Sequence, residues 1–134
     1  MQIYEVKVIS NGVNVALNKT VTMSSVKAGL PGSNVVDGNL GTYTHSEGGK
    51  GSLRIDLGAE YPIQEVQVFN AVGTVSGRLI GSVIKIKNAA EAVVFTSDPF
   101  KDTGGGITPR DGADVGYYSY SVKPPATTLS VWKA

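Results

Sequence analysis

The sequence predicts an all-β chain folded as a β-sandwich or jelly roll, and three observations predict it. Valine and isoleucine number 18 and 8 against 7 leucines, a branched composition that suits pleated strands better than helices. Seventeen glycines and six prolines break the chain into short apolar runs separated by turns. No window of about 11 residues carries an apolar stripe at helical spacing. About eight short strands with frequent turn signals are the pattern of a sandwich. At 134 residues and 14.0 kDa the chain reads as a single domain over residues 1–134, long enough to bury roughly two-thirds of its unfolded surface without a disulfide or metal.

Each element has its own signal. Ile3 to Ile9 alternates Ile3, Glu5, Lys7 and Ile9 against Tyr4, Val6 and Val8, a strand of period two. Asn11-Gly12 supplies a turn, and Val13 to Leu17 continues extended. Val21 to Val26 is a further short strand. Ala28 to Gly41 reads as loop with at most one helical turn, ending at Asp37-Gly38-Asn39. In LRIDL, residues 53–57, apolar positions alternate with Arg54 and Asp56, a half-buried strand whose two charged residues can pair locally. Ile63 to Phe69, Leu79 to Ile86, Ala92 to Thr96, Tyr118 to Val122 and Leu129 to Lys133 complete the set. Asp98 to Gly116 is loop-rich around three consecutive glycines.

Composition also excludes functions. Twelve basic and eleven acidic residues leave a formal charge of +1, too small for a nucleic-acid surface. The absence of cysteine removes a disulfide scaffold, a zinc ribbon and a thiol nucleophile. The apolar runs are too short for membrane insertion by a helix, and MQIYEVKVIS alternates like a strand and not like a signal peptide. With one histidine, His45, a two-histidine metal site is impossible, and no serine sits in a nucleophile elbow. The segment GGKGS fails as a phosphate loop because Lys50 is followed by Gly51. The acidic pairs Asp98 with Asp102 and Asp111 with Asp114 lie in loops, without strands to fix a catalytic separation. Asn18-Lys19-Thr20 is a glycosylation sequon if the chain enters a secretory pathway.

A set of motifs then occurs in a telling order: NVALNKTVTMSS (residues 14–25), SNVVDGN (33–39), Thr44-His45, LRIDLG (53–58), Tyr61-Pro62-Ile63 and Arg78-Leu79-Ile80-Gly81. Together they resemble the discoidin-like (coagulation factor type C) domains, and within them most closely the fucose-binding F-type lectins. The resemblance covers residues 13–134. It implies an eight-stranded β-sandwich jelly roll of the galactose-binding-domain type, with ligand loops at one end. It further implies a non-catalytic carbohydrate-binding module for cell-surface or extracellular glycans, with a role in adhesion. Such a module is displayed on a cell, a virion or a secreted assembly, as a homo-oligomer or as a repeat of a larger assembly. The alternative is a structural or adhesive domain of a capsid, tail or matrix that has lost its sugar.

The family gathers a histidine and two arginines on the sugar, since hydroxyls and a ring oxygen need several fixed donors beside an apolar wall. The histidine maps onto His45 and the second arginine onto Arg78. The first arginine falls on Ala71, and its acidic partner on Gly73. Each charge-assisted hydrogen bond so lost is worth about 1.5–3 kcal/mol. The family also carries a structural Ca²⁺, whose loop positions match Asn34, Asp37 and Asn39; hard cations require several converging oxygens. A glutamate on the last strand completes that site in the family, and here the position is Lys133. IYEVKV (residues 3–8) resembles that last strand better and places Glu5 at the glutamate position. Two arrangements compete: the segment is the tail strand of a preceding repeat, pairing beside or with a neighbour, or, as favoured, the first strand lies beside the C-terminal strand and supplies Glu5 to the loop in cis.

Overall fold

The computed structural model describes residues 1–48, 51–70, 79–100, 118–125 and 129–133, with backbone only at 118, 119 and 129–133. Among these residues two sheets pack face to face. The first holds β1 (Gln2–Ser10), β2 (Val13–Asn14), β4 (Thr44–His45), β7 (Glu65–Asn70) and β10 (Tyr118–Val122). The second holds β3 (Thr20–Met23), β5 (Leu53–Asp56), β6 (Tyr61–Pro62), β8 (Lys85–Lys87), β9 (Val93–Thr96) and β11 (Leu129–Lys133). A 3-10 turn over Gly32–Val35 leads into the core. The fold is the expected β-sandwich.

Strand β1 is the centre of the first sheet. On one side it runs antiparallel to β7, pairing Val6 with Val68 and Val8 with Val66. On the other side it takes β2 at one end, Ile9 opposite Asn14, and β4 at the other, Gln2 opposite His45. Asn11 and Gly12 join β1 to β2 with φ of 49° and 77°. Both values are positive, as a two-residue type I′ hairpin turn requires. The Asn14 amide oxygen accepts from the Val8 and Ala16 N–H groups, each at 3.1 Å, locking the return strand. The C-terminal strand β11 belongs to the other sheet, between β5 and β8. The expectation that the first strand lies beside the last is therefore wrong. Hydrogen-bonding capacity is the reason: both edges of β1 are occupied by β7, β2 and β4.

The core sits between the sheets. Val6 and Val8 of β1 and Val66 and Val68 of β7 face Leu53 and Ile55 of β5 and Ile86 of β8, all at most 3% exposed. Val35 and Val36, next to each other at the end of the 3-10 turn, enter the same cluster. Burial of each such side chain stabilises by about 1.5–3 kcal/mol. Strand β5 alternates as expected, with Arg54 and Asp56 outward. Arg54 pairs with Glu91 of the β8–β9 turn, which also approaches Lys87 at 3.6 Å. Asp56 instead accepts the Gly58 N–H at 2.9 Å. The expected strand over Val21 to Val26 stops at Met23, and that over Leu79 to Ile86 keeps only its end. Residues 79–82 form a turn closed by Ser82 N–H on Leu79 O at 3.0 Å.

Candidate functional site: the 37–42 turn and the strand that holds it

Two segments carry the polar groups singled out by the sequence. The first begins at the 3-10 turn, where Pro31, with φ of −67°, opens the turn. Val35 and Val36 plug into the core, and the Val36 carbonyl accepts the Asn18 N–H at 2.7 Å. The chain must then reverse, and Asp37-Gly38-Asn39 does so through local side-chain bonds. Asp37 Oδ1 accepts the Asn39 N–H at 2.8 Å, Asp37 Oδ2 accepts the Thr42 hydroxyl at 2.6 Å, and Asn39 Oδ1 accepts the Gly41 N–H at 2.8 Å. These are Asx turns built end to end. Asn34 ties the far end down: its Nδ2 donates to the Tyr43 carbonyl at 2.9 Å. The Tyr43 ring then meets Tyr4 of β1 with centroids 5.2 Å apart.

Glu5 joins this turn from the middle of β1. The β1–β7 register places Glu5 opposite Phe69 and Lys7 opposite Gln67, on the face turned away from Val6, Val8, Val66 and Val68. A shift in register between Ile3 and Glu5 accompanies the change of neighbour along β1. Glu5 is fully buried, and its Oε2 accepts the Gly38 N–H at 2.7 Å. Gly38 carries φ of 75°, a conformation that favours glycine. Glu5 Oε1, equally buried, has no hydrogen-bond partner. Burial pushes the carboxyl from its ordinary 4.5 up to about 8; the Gly38 N–H works against the rise, the nearby Asp37 charge adds to it, and Lys7 lowers it. The Lys7 ammonium lies 5.1 Å from the Phe69 ring centroid. Glu5 thus reaches the loop in cis, though from the first sheet and not from beside β11.

The residues suit a hard cation in donor chemistry, since Glu5, Asp37 and Asn39 bring side-chain oxygens to the turn and one buried Glu5 oxygen is orphaned. Two carboxylates, Glu5 and Asp37, meet there, and among the described residues no cluster of three His, Cys, Asp or Glu side chains forms. Asp37 and Asn39 already spend oxygens on the turn. Lys133 lies among the residues described by backbone alone.

The second segment is β4. Thr44 points inward, its hydroxyl donating to the Leu30 carbonyl at 2.9 Å. His45 is half-buried, its backbone opposite Gln2 and its carbonyl accepting the Lys27 N–H at 2.8 Å. Its Nδ1 lies 2.5 Å from the Ser46 carbonyl. A carbonyl oxygen only accepts, so Nδ1 is the donor in this contact. Arg78 lies outside the described residues, as do 71 and 73 and the acidic pair at 111 and 114. The structure therefore gathers Glu5, Asp37, Asn39 and, through Tyr43, Asn34, and it carries His45 on the same continuous stretch of chain. Sequence reasoning missed Thr42, whose spacing of five from Asp37 is the available signal, and Tyr4 with Tyr43.

The chain is thus a two-sheet β-sandwich with polar side chains gathered on its turns and short strands. The family model described as NedA-like, galactose-binding domain matches residues 34–110, and the chain belongs to that family, a coagulation factor type C family of the discoidin-like kind. Among solved structures, the chain is similar to the lectin domain of lectinolysin complexed with Lewis B antigen, at TM-score 0.74 and 21% identity over 93% of this chain and 84% of that one. It is also similar to a fucose-binding module of Streptococcus pneumoniae, at TM-score 0.72 and 19% identity with the same coverage. At these identities the likeness is one of fold. No curated protein matches the chain in sequence.

Proposed function

We propose that this chain is a non-catalytic carbohydrate-binding module. The observation that carries the reading is the family match over residues 34–110, which spans the turn, His45 and Arg78. The fold likeness to a lectin domain and a fucose-binding module supports it. His45 Nε2 accepts from a sugar hydroxyl, and Arg78 donates to a neighbouring oxygen. A hard cation, Ca²⁺ in the first instance, is held by Glu5 and Asp37 with the amides Asn34 and Asn39 shaping the loop. When bound, it would supply positive charge beside the two carboxyls. Binding is to exposed glycans outside the cell or on a virion, and display in several copies strengthens weak single sites.

A second reading, a structural or adhesive domain without sugar, is favoured by one observation: Ala71 and Gly73 stand where the family has an arginine and its acidic partner. A glycan array run with Ca²⁺ and again with chelator decides between them. Binding that falls at least tenfold in His45→Ala and in Arg78→Ala supports the module reading. A blank array from folded protein supports the structural one.

A further inference from the structure

Below the mouth of the sandwich lies a chamber of about 270 Å³. Its floor is Ile3, Val68, Leu79, Ile84 and Phe100, each at most 7% exposed. Its rim is Met1, Gly51, Gly81 and Ser82, all less buried than the floor. The wall is preformed: the Gly81 N–H donates to the Phe100 carbonyl at 2.7 Å, and the Phe100 N–H to the Ser82 carbonyl at 2.8 Å. Gly81, with φ of 85°, places no side chain over the opening. Closed cavities of about 150 Å³ lined by Leu, Ile and Phe accept benzene, and the floor of this more open chamber offers the same apolar side chains.

The chamber's rim is tied to the strand that carries His45: the Met1 carbonyl accepts the N–H of Ser46, which follows His45, at 2.9 Å.

We propose that this chamber binds a compact apolar group, a phenyl ring or a short alkyl chain, supplied either by a free small molecule or by the apolar substituent of a glycoside. The second source rests on the carbohydrate-binding reading; the first does not. Three probes test it on the intact chain: toluene, xenon, and phenyl α-L-fucoside compared with L-fucose.

Toluene raises the melting midpoint saturably, by on the order of 5 °C. A crystal pressurised with xenon shows the gas between Val68 and Phe100. Val68→Phe, which fills the space, removes the toluene response. No midpoint shift together with no xenon in the wild-type chamber overturns the proposal, and because both readings use the wild-type chain they stand even where Val68→Phe does not fold. Phenyl fucoside binding about tenfold tighter than fucose, with the difference lost in Val68→Phe, upholds the chamber and assigns it to glycosides. Toluene binding with equal affinity for the two sugars upholds it and assigns it to free apolar molecules. If neither sugar binds, fucose is not the ligand and the glycoside source is overturned, while the toluene and xenon results still decide the chamber.

Discussion

Replacing Glu5 by glutamine isolates the electrostatics of the turn. The wild-type carboxyl is buried, with its pKa raised from 4.5 to about 8. Between those values the folded chain holds a proton that the unfolded chain has released. Its contribution to stability is therefore complete below about pH 4.5 and is lost as pH rises towards 8, at up to about 1.4 kcal/mol per pH unit. From pH 5 to pH 7 the loss from this one group is on the order of 2–3 kcal/mol. Glutamine keeps an acceptor for the Gly38 N–H but does not titrate. The assay is urea unfolding of both proteins at pH 5, 6, 7 and 8 in chelator, read as the difference in unfolding free energy. Taking the difference cancels every other group, including Glu91, whose carboxyl Arg54 holds below its ordinary value. Glu5→Gln should gain on the wild type by about 2–3 kcal/mol over that interval. A difference that stays constant from pH 5 to 8 would show that Glu5 is ionised in the folded chain, and the account of its burial would be wrong.

Added Ca²⁺ should stabilise the wild type at pH 7 by about 2.7 kcal/mol at a hundred times its dissociation constant and leave Glu5→Gln nearly unmoved, measured by melting with and without chelator; equal responses count against Glu5 as a ligand. Gly38→Ala should cost about 1–3 kcal/mol by denaturant titration, because φ there is 75° and the new Cβ would stand 3.2 Å from Leu17 Cδ1. Thr44→Val should cost about 1–3 kcal/mol in the same assay, since the Leu30 carbonyl loses the donor that the buried Thr44 hydroxyl supplies at 2.9 Å. Asp37→Ala should lower the Glu5 pKa, followed by NMR titration of the carboxyl carbon, because a neighbouring negative charge that raises it is gone.

What the sequence displays is local. LRID alternates because β5 has one face on the core and one on solvent, and Asn11-Gly12 dictates its own hairpin; both were legible. Strand β7 is different: in EVQVFN every residue after Glu65 is buried, so Gln67 and Asn70 look like solvent positions and are not. A central strand covered on both faces loses the period-two signal. Strands β2, β4 and β6 span two residues each, below the length at which a pattern exists. The partner of Arg54 was missed because Glu91 is far along the chain, while Asp56 is two residues away on the same face. In the turn, Asp37 and Asn39 were visible as turn formers, but the burial of Glu5 depends on which strands flank β1, a long-range fact.

That flanking explains why the turn and His45 belong to one apparatus. The 37–42 turn closes on itself through Asp37, Asn39 and Thr42, so it does not need Glu5 to form. What the Glu5–Gly38 bond adds is position, because it pins a self-made turn to the most heavily paired strand of the sheet. Three residues earlier on that strand, Gln2 pairs with His45. A single rigid strand thus sets the place of the turn at Glu5 and of the histidine at Gln2, and the chain between them, residues 39–44, is held at both ends with Tyr43 against Tyr4. The shortest path along the chain from the turn to His45 is this tethered stretch, and charge at Glu5 is where the proposed cation would act on it.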